Sequence, residues 1–513
     1  MSSSVVRRAV FGGVLWGVLG SGVWAQGAAA RGADPSRAIV KIYASAVGRD
    51  VTAPWRPGWS FSRTGSGAVM SGGLILTAAH VVDYQTFLLV RLNGTARKAQ
   101  ARVLFVSHVA DLALLLVDDP GLLAGVTPLE LGELPAVRDA VAAYGFPNGG
   151  ETLSITEGVV ARAEHESYVH SRESLLAIQM DAAIAPGSSG GPLLRDGRIV
   201  GVAMQGFKDS AIGCAVPVPL IRQFLVDVSD GRLEGIPELG ISWQRLESGS
   251  LRTSLAVPAE ETGVLLKSVD ASPAGGVLQE GDVLLSLSER SVADDGTVEL
   301  REAERTDLSQ VTDLMQVGGE VSVRYLRDGV VHDSSISLTR ARGEGRLVPR
   351  LFDRNADYFI FGGLAFVNLT RNMLDAAKEY APAALVAQVE REALRPGQGL
   401  VLLANILASD VNAGYEDALW EVVRSVGGSE AGSLTELVAL VERADSGPFV
   451  TFGLAGGRRV TIDRQRAVST APEVLARYEI AADRSPRLRD LAPSKPVVAA
   501  LGVPSSAGTG EER

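Results

Sequence analysis

The chain has one cysteine, Cys214, among 513 residues. An intramolecular disulfide is therefore excluded, so no disulfide framework reports on the compartment. No cysteine-based motif surrounds Cys214, which reads as a small buried apolar residue. Basic charge is in deficit: 49 Lys and Arg stand against 60 Asp and Glu, a net charge of −11. No basic run is longer than Arg7-Arg8 or Arg458-Arg459. The surface a nucleic acid needs is missing, and no nucleic-acid partner is expected. Beyond the N-terminus no segment is long and apolar enough to cross a bilayer as a helix. No phosphate-cradling glycine loop occurs, so no ATP-driven motor is built in, and no cofactor is expected. The pair His165 and His170 looks like a zinc motif but is spaced by five residues. On a helix the two rings would diverge by about 140°, so no metal is expected there.

What is present begins with the leader. Arg7 and Arg8 precede an apolar stretch from Ala9 to Val23, and Val23-Trp24-Ala25 ends in a small residue. The stretch is about 15 residues, short of the roughly 20 a spanning helix needs. Residues 1–25 read as a signal peptide cleaved near Ala25, which implies an exported protein, periplasmic or secreted. An uncleaved anchor is the alternative.

A chain of this length exceeds one core and divides into several domains. From Ile39 to about Val218, short apolar runs alternate with turn signals, among them Leu74–Thr77, Lys98–Val106, Leu112–Val117, Leu175–Met180 and Arg198–Met204. Many short strands with Gly-rich turns indicate an all-β barrel or sandwich. A helix from Pro219 to Ser229 closes this part, stopped by Asp230-Gly231. The expected boundaries are 35–232, then a unit at 235–342, a looser repeat of it at 349–480, and a mobile tail at 481–513. In the second unit a helix is expected at Leu308–Val317, and in the third at Ser433–Ala444.

Chemistry concentrates in three separated stretches. His80 turns off the end of the Leu74–Thr77 strand, a rigid support for a general base. Asp111 stands just before the Leu112–Val117 strand, placed to reach a histidine. Gly187-Ser188-Ser189-Gly190-Gly191-Pro192 lies between two apolar strands, unlike a flexible linker. Its glycines let the backbone bend sharply and expose successive N–H groups to a developing oxyanion. The hole is assigned to the N–H groups of Gly187 and Ser189, and the nucleophile to Ser189, which directly precedes Gly190-Gly191-Pro192. A histidine, an aspartate and a serine in this order match one known triad order. The serine hydroxyl is a poor nucleophile until His80 takes its proton, and His80 needs Asp111 to hold its tautomer.

These segments resemble the HtrA/Deg family of trypsin-like serine proteases with C-terminal PDZ domains. The resemblance runs through Gly65-Ser66-Gly67, Leu76 to Val82, Asp111-Leu112-Ala113, Gly145-Phe146-Pro147, Gln179 to Ile184, the serine segment, and Ile212 to Pro217. Gly240-Ile241-Ser242-Trp243-Gln244 and a second PDZ-like unit are similar to the plant-type Deg branch. The resemblance implies a mainly β fold: a chymotrypsin-like double β-barrel followed by two smaller mixed α/β PDZ-like domains. It implies an ATP-independent endopeptidase acting on unfolded or damaged polypeptides, assembled as a trimer or a multiple of trimers. The residue six before the nucleophile, Ala183, would set the base of the specificity pocket, with Ile184, Ile212, Gly213 and Cys214 as apolar walls. Cleavage after small or medium aliphatic residues is expected. Leu239-Gly240-Ile241 resembles the loop with which a PDZ domain holds a peptide's terminal carboxylate. Two departures stand out: Ser188 where the family has asparagine, and Cys214 where an aromatic is common. A non-proteolytic chaperone or scaffold binding polypeptides through its PDZ units is the alternative function, with an esterase as a third.

Overall fold

The structure is a computed structural model and describes residues 34–206, 212–389, 391–443 and 447–491. The expected signal peptide lies outside the described residues. The first barrel is a closed ring of six strands: β1 (Ile39–Gly48), β2 (Trp59–Met70), β3 (Leu74–Thr77), β4 (Gln85–Leu92), β5 (Lys98–Ser107) and β6 (Leu112–Val117), in the order β1-β2-β3-β6-β5-β4. The second is β7 (Ala140–Gly145), β8 (Ser154–Ser167), β9 (Ser174–Met180), β10 (Pro192–Arg195), β11 (Arg198–Gly206) and β12 (Gly213–Pro217), in the order β10-β11-β12-β9-β8-β7. Ring closure removes free strand edges. The strands are apolar on their inner faces; Ile75, Leu76, Leu112 and Leu114 are fully buried. The helix expected after β12 is present at Val218–Asp227.

A second sheet follows in the order β13-β14-β15-β19-β20, from β13 (Ile241–Arg245), β14 (Val264–Val269), β15 (Val283–Leu287), β19 (Glu320–Arg327) and β20 (Val330–Ser337). Short β16 (Arg290–Ser291) pairs with β15, and β17 (Thr297–Arg301) with β18 (Glu304–Asp307) makes a hairpin. The helix expected at Leu308–Val317 is confined to Gln310–Asp313, all four residues buried. This sheet has its own apolar core around Val264, Leu284, Leu287 and Val321.

Chain contacts nevertheless group the barrels and this sheet into one compact unit, comprising the chain up to Val47 and Ser60–Arg342. A polar junction explains why. His165 on β8 places Nδ1 at 2.8 Å from the Thr306 hydroxyl and Nε2 at 3.0 Å from Asp313. Asp313 is fully buried and also accepts from Arg342, whose other nitrogen donates to Ser174 O at 2.9 Å. Buried charge is tolerated only when paired in this way. His165 and His170 thus serve different places, since His170 faces His108 at 2.9 Å.

The other compact unit holds Gly48–Trp59 and the chain from Gly343 onward. Two sheets build it: β21 (Tyr358–Phe361), β22 (Leu364–Asn368) and β23 (Val401–Ile406) in chain order, and β25-β24-β26-β27 from β24 (Val423–Val426), β25 (Ser429–Glu430), β26 (Phe449–Leu454) and β27 (Arg459–Asp463). The apolar run Tyr358–Leu369 reads as one strand from sequence alone. Gly362 and Gly363, with φ of 56° and 78°, fold it into the β21–β22 hairpin instead. The helix expected near 433–444 spans Leu434–Glu442, N-capped by Ser433. Trp55 is a core residue here, edge-on to Tyr358 at 6.0 Å. The tail expected to start at 481 is corrected to a later point. Ile360 N–H donates to Asp483 O at 2.7 Å, Ser485 N–H donates to Tyr358 O at 3.0 Å, and Leu488 is buried. These bonds satisfy the outer edge of β21, which holds the segment down.

Candidate active site

His80 lies in a single helical turn, Ala79–Val82, directly after β3. Its backbone N–H donates to Asp111 Oδ1 at 2.9 Å, and its Nδ1 lies 2.7 Å from Oδ2. One carboxylate therefore grips both the main chain and the ring of the histidine, which fixes ring orientation. Asp111 is fully buried and has φ of 54°, a left-handed conformation that aspartate tolerates better than most residues. Burial pushes its carboxyl up, but the charge and hydrogen bond of His80 and the nearby His170 hold it below its ordinary value. For His80, burial acts downward and loses to the attraction of Asp111, leaving its pKa above the usual histidine value.

The serine loop docks onto the strands that carry His80. Ser66 N–H donates to Ser189 O at 2.9 Å, and Thr77 Oγ1 donates to Ser66 O at 2.7 Å. The fully buried Ser66 hydroxyl bridges two other segments: it donates to Gly187 O at 2.8 Å and accepts from Phe146 N–H at 2.9 Å. Gly190 N–H donates to Ala203 O at 2.8 Å, tying the loop to β11. The glycines are required by space and by backbone conformation. Gly187 and Gly190 have φ of 93° and 81°. A Cβ on Gly191 would stand 2.0 Å from Tyr144 O. Ser188, where the sequence departs from the family, packs against Gly145: a Cβ there would come within 2.8 Å of Ser188 Cα.

Pro186 O accepts from Asn148 N–H at 2.6 Å. In a trans peptide the C=O and the next N–H point opposite ways, so the Gly187 N–H faces away from Asn148. Among the described residues neither Gly187 N–H nor Ser189 N–H has a hydrogen-bond acceptor. The Ser189 hydroxyl donates to Met204 O at 3.4 Å. Thus the Asp111–His80 half of the expected relay is formed, while among the described residues Ser189 makes no hydrogen bond to His80. Staggered wells lie about 120° apart, and catalytic hydrogen bonds often tighten only when substrate arrives.

The pocket residues divide along β12. Ile184 packs on Gly213, where a Cβ would meet Ile184 Cγ1 at 2.8 Å. Ala183 is exposed and Ile212 is 40% exposed. Cys214 is the correction. Side chains alternate along a strand, and Cys214 points with Val216 into the core containing Tyr168 and Leu175, not with Ala215 toward Ile184. Burial, with Glu166 and Glu164 adding to it, pushes its thiol up to about 12, so it is no nucleophile.

In the unit expected at 235–342 Leu239 is buried, Gly240 has φ of 72°, and Ile241 opens β13. Arg340 spans Glu238 and Asp270 at 2.7 Å each beside this loop. β13 is the edge strand of its sheet. In the unit from Gly343 onward β22 is not an edge, because β21 pairs antiparallel along it from Tyr358↔Val367 to Phe361↔Leu364. Ser66 and Thr77 are contributors that motif reading did not assign. For Thr77 the signal is a hydroxyl ending the apolar run Leu74–Leu76, where an unpaired polar group is costly.

A model of the trypsin-like peptidase domain matches residues 65–202, and a PDZ domain model matches residues 348–487. Protease Do-like 2, chloroplastic, of Arabidopsis thaliana is 34% identical over 457 residues, 87% of this chain and 74% of its own length. Protease Do-like 4, mitochondrial, of the same plant is 36% identical over 416 residues, 79% of this chain and 76% of its own. The solved structure of HtrA-type protease AlgW with tripeptide covers 59% of this chain and 93% of its own at 25% identity, with a TM-score of 0.47. With a peptidase domain, a PDZ domain and relatives matched over most of both chains, this chain belongs to the Do-like, or HtrA/Deg, family of trypsin-like serine proteases, in its plant-type branch.

Proposed function

We propose that Ser189, His80 and Asp111 hydrolyse peptide bonds in unfolded or damaged polypeptides, without ATP, in an extracytoplasmic compartment. Ser189 Oγ attacks the scissile carbonyl. His80 Nε2 takes the hydroxyl proton and returns it to the leaving amine, while Asp111 holds Nδ1–H and stabilises the imidazolium. The N–H groups of Gly187 and Ser189 receive the oxyanion, each contributing roughly 10²–10³ in rate. One observation carries this reading: the 2.7 Å Asp111–His80 pair stands on the same strand end that the Ser189 loop grips. Digestion of casein by the purified protein, beside Ser189→Ala, is the test. Loss of casein with wild type alone is expected; intact casein with both proteins favours the chaperone reading, to which the Ser189 hydroxyl turned onto Met204 O lends support.

The apolar pair Ile184 and Gly213, with Ala183 in place of an acid, supports cleavage after small or medium aliphatic residues. A peptide library is expected to show valine, alanine or isoleucine on the acyl side; preference for arginine there would refute it. The open edge of β13 supports capture of a polypeptide C-terminus by strand addition in the first PDZ unit. The filled edge of β22 supports a scaffold role for the second, within a trimer or a multiple of trimers. A labelled peptide ending in a free apolar residue should lose binding when Gly240 is replaced by valine. Unchanged affinity in that variant, or a monomeric mass in solution, counts against the corresponding part of the reading.

A further inference from the structure

Arg464 opens the helix Arg464–Arg477 right after β27. Its Nε donates to Gly447 O at 3.2 Å and its Nη1 to Val441 O, one of the last carbonyls of the helix Leu434–Glu442. Its Nη2 is buried with no hydrogen-bond partner, and among the described residues no carboxylate pairs with this guanidinium. Two neutral carbonyls thus serve the partly buried guanidinium, with no carboxylate beside it among the described residues. Burial holds its pKa below the ordinary arginine value.

Beside this cation lies a cavity of about 190 Å³. Arg443 contributes a second guanidinium to its lining, and Val426, Leu440, Phe449 and Val450 contribute apolar surface. Phe449 is 56% exposed, an aromatic left at the rim. Among the described residues no acidic side chain lines the cavity. Cationic and apolar groups thus converge where a ligand with one negative end and an apolar body would satisfy both. The cavity sits at the β24–β25 turn, away from β22, so it is separate from the edge that β21 fills.

We propose that this cavity binds an apolar carboxylate, with the Arg464 guanidinium as the anion anchor. The carboxylate belongs either to a polypeptide chain end or to a small free acid. The test is calorimetric titration of full-length Ser189→Ala protein, so the result does not depend on catalysis. N-acetyl-L-leucine stands for a chain end, hexanoate for a free acid, and N-acetyl-L-leucinamide keeps the apolar body without the charge. Saturable binding of one or both acids is expected, about tenfold or more tighter than the amide, and the tighter acid identifies the source. Arg464→Ala should abolish it, but Arg464 also caps a helix carbonyl. Ser429→Glu avoids that problem, because Ser429 is exposed and lines the same cavity. It supplies an internal carboxylate and should raise Tm while weakening acid binding about tenfold. Equal binding of acid and amide, or acid binding unchanged in Ser429→Glu, overturns the assignment; inorganic phosphate binding as tightly as the acids overturns its apolar half.

Discussion

Asp111→Asn is expected to lower kcat about 10⁴-fold with little change in KM, as loss of the orienting carboxylate does in this chemistry. Asp111 accepts from both the backbone N–H and Nδ1 of His80. Asparagine has one acceptor oxygen, so only one of those bonds survives. If the oxygen keeps the backbone N–H, the amide NH₂ faces Nδ1 and selects the tautomer protonated at Nε2, which cannot take a proton from Ser189. The pH profile gives an independent check. His80 must be neutral to act, so activity falls as pH drops through its pKa. Asp111 holds that pKa above the ordinary value of about 6.5 against the opposing effect of burial. Without the carboxylate, burial dominates, and the acid limb of kcat/KM should move to lower pH. A limb that stays in place, or a loss below about tenfold, contradicts the role given to Asp111.

Gly190→Ala should be nearly as damaging, through geometry and not chemistry. A Cβ at position 190 would stand 2.1 Å from Thr77 Oγ1, 2.4 Å from Ser66 O and 2.9 Å from Ala78 N. Two of these are backbone atoms, so no side chain can swing away to relieve them. The φ of 81° adds strain for any L-residue. Strain and overpacking together suggest a loss of about 2–6 kcal/mol. Relief comes by lifting the loop off the β3 end, and a displacement of about 1 Å costs about 10²-fold in rate. We expect activity reduced at least about 10²-fold together with a lower Tm. Gly197→Ala is the control: its φ of 74° is similar, but nothing stands within 4 Å of the added Cβ. Equal losses in the two variants would place the effect in backbone strain alone.

Much of the catalytic chain segment was legible because its signals are local. The apolar run Leu112–Val117 is β6, and Leu74–Thr77 is β3, as alternation with turn signals indicated. The helix Arg464–Arg477 was missed because only Ala467 and Val474 are buried, a stripe too narrow to read as amphipathic. The β17–β18 hairpin was missed because Thr297–Arg301 and Glu304–Asp307 are largely polar, which mimics a loop. Cys214 was misplaced because the resemblance aligned it with a pocket wall, while which face of β12 it takes depends on register.

By itself the sequence determined the proposed reacting groups and their order along the chain, since a base, an acid and a nucleophile need specific residue types with glycines around the serine. Only the tertiary structure decided how they stand. Ser66 and Thr77 hold the serine loop, the Ser189 hydroxyl rests on Met204 O, β21 closes the edge of β22, and among the described residues Arg464 Nη2 has no partner. Each of these depends on which groups the fold brings together. Residue type records what a side chain can donate or accept; which partner it meets is settled by how the strands pair and close.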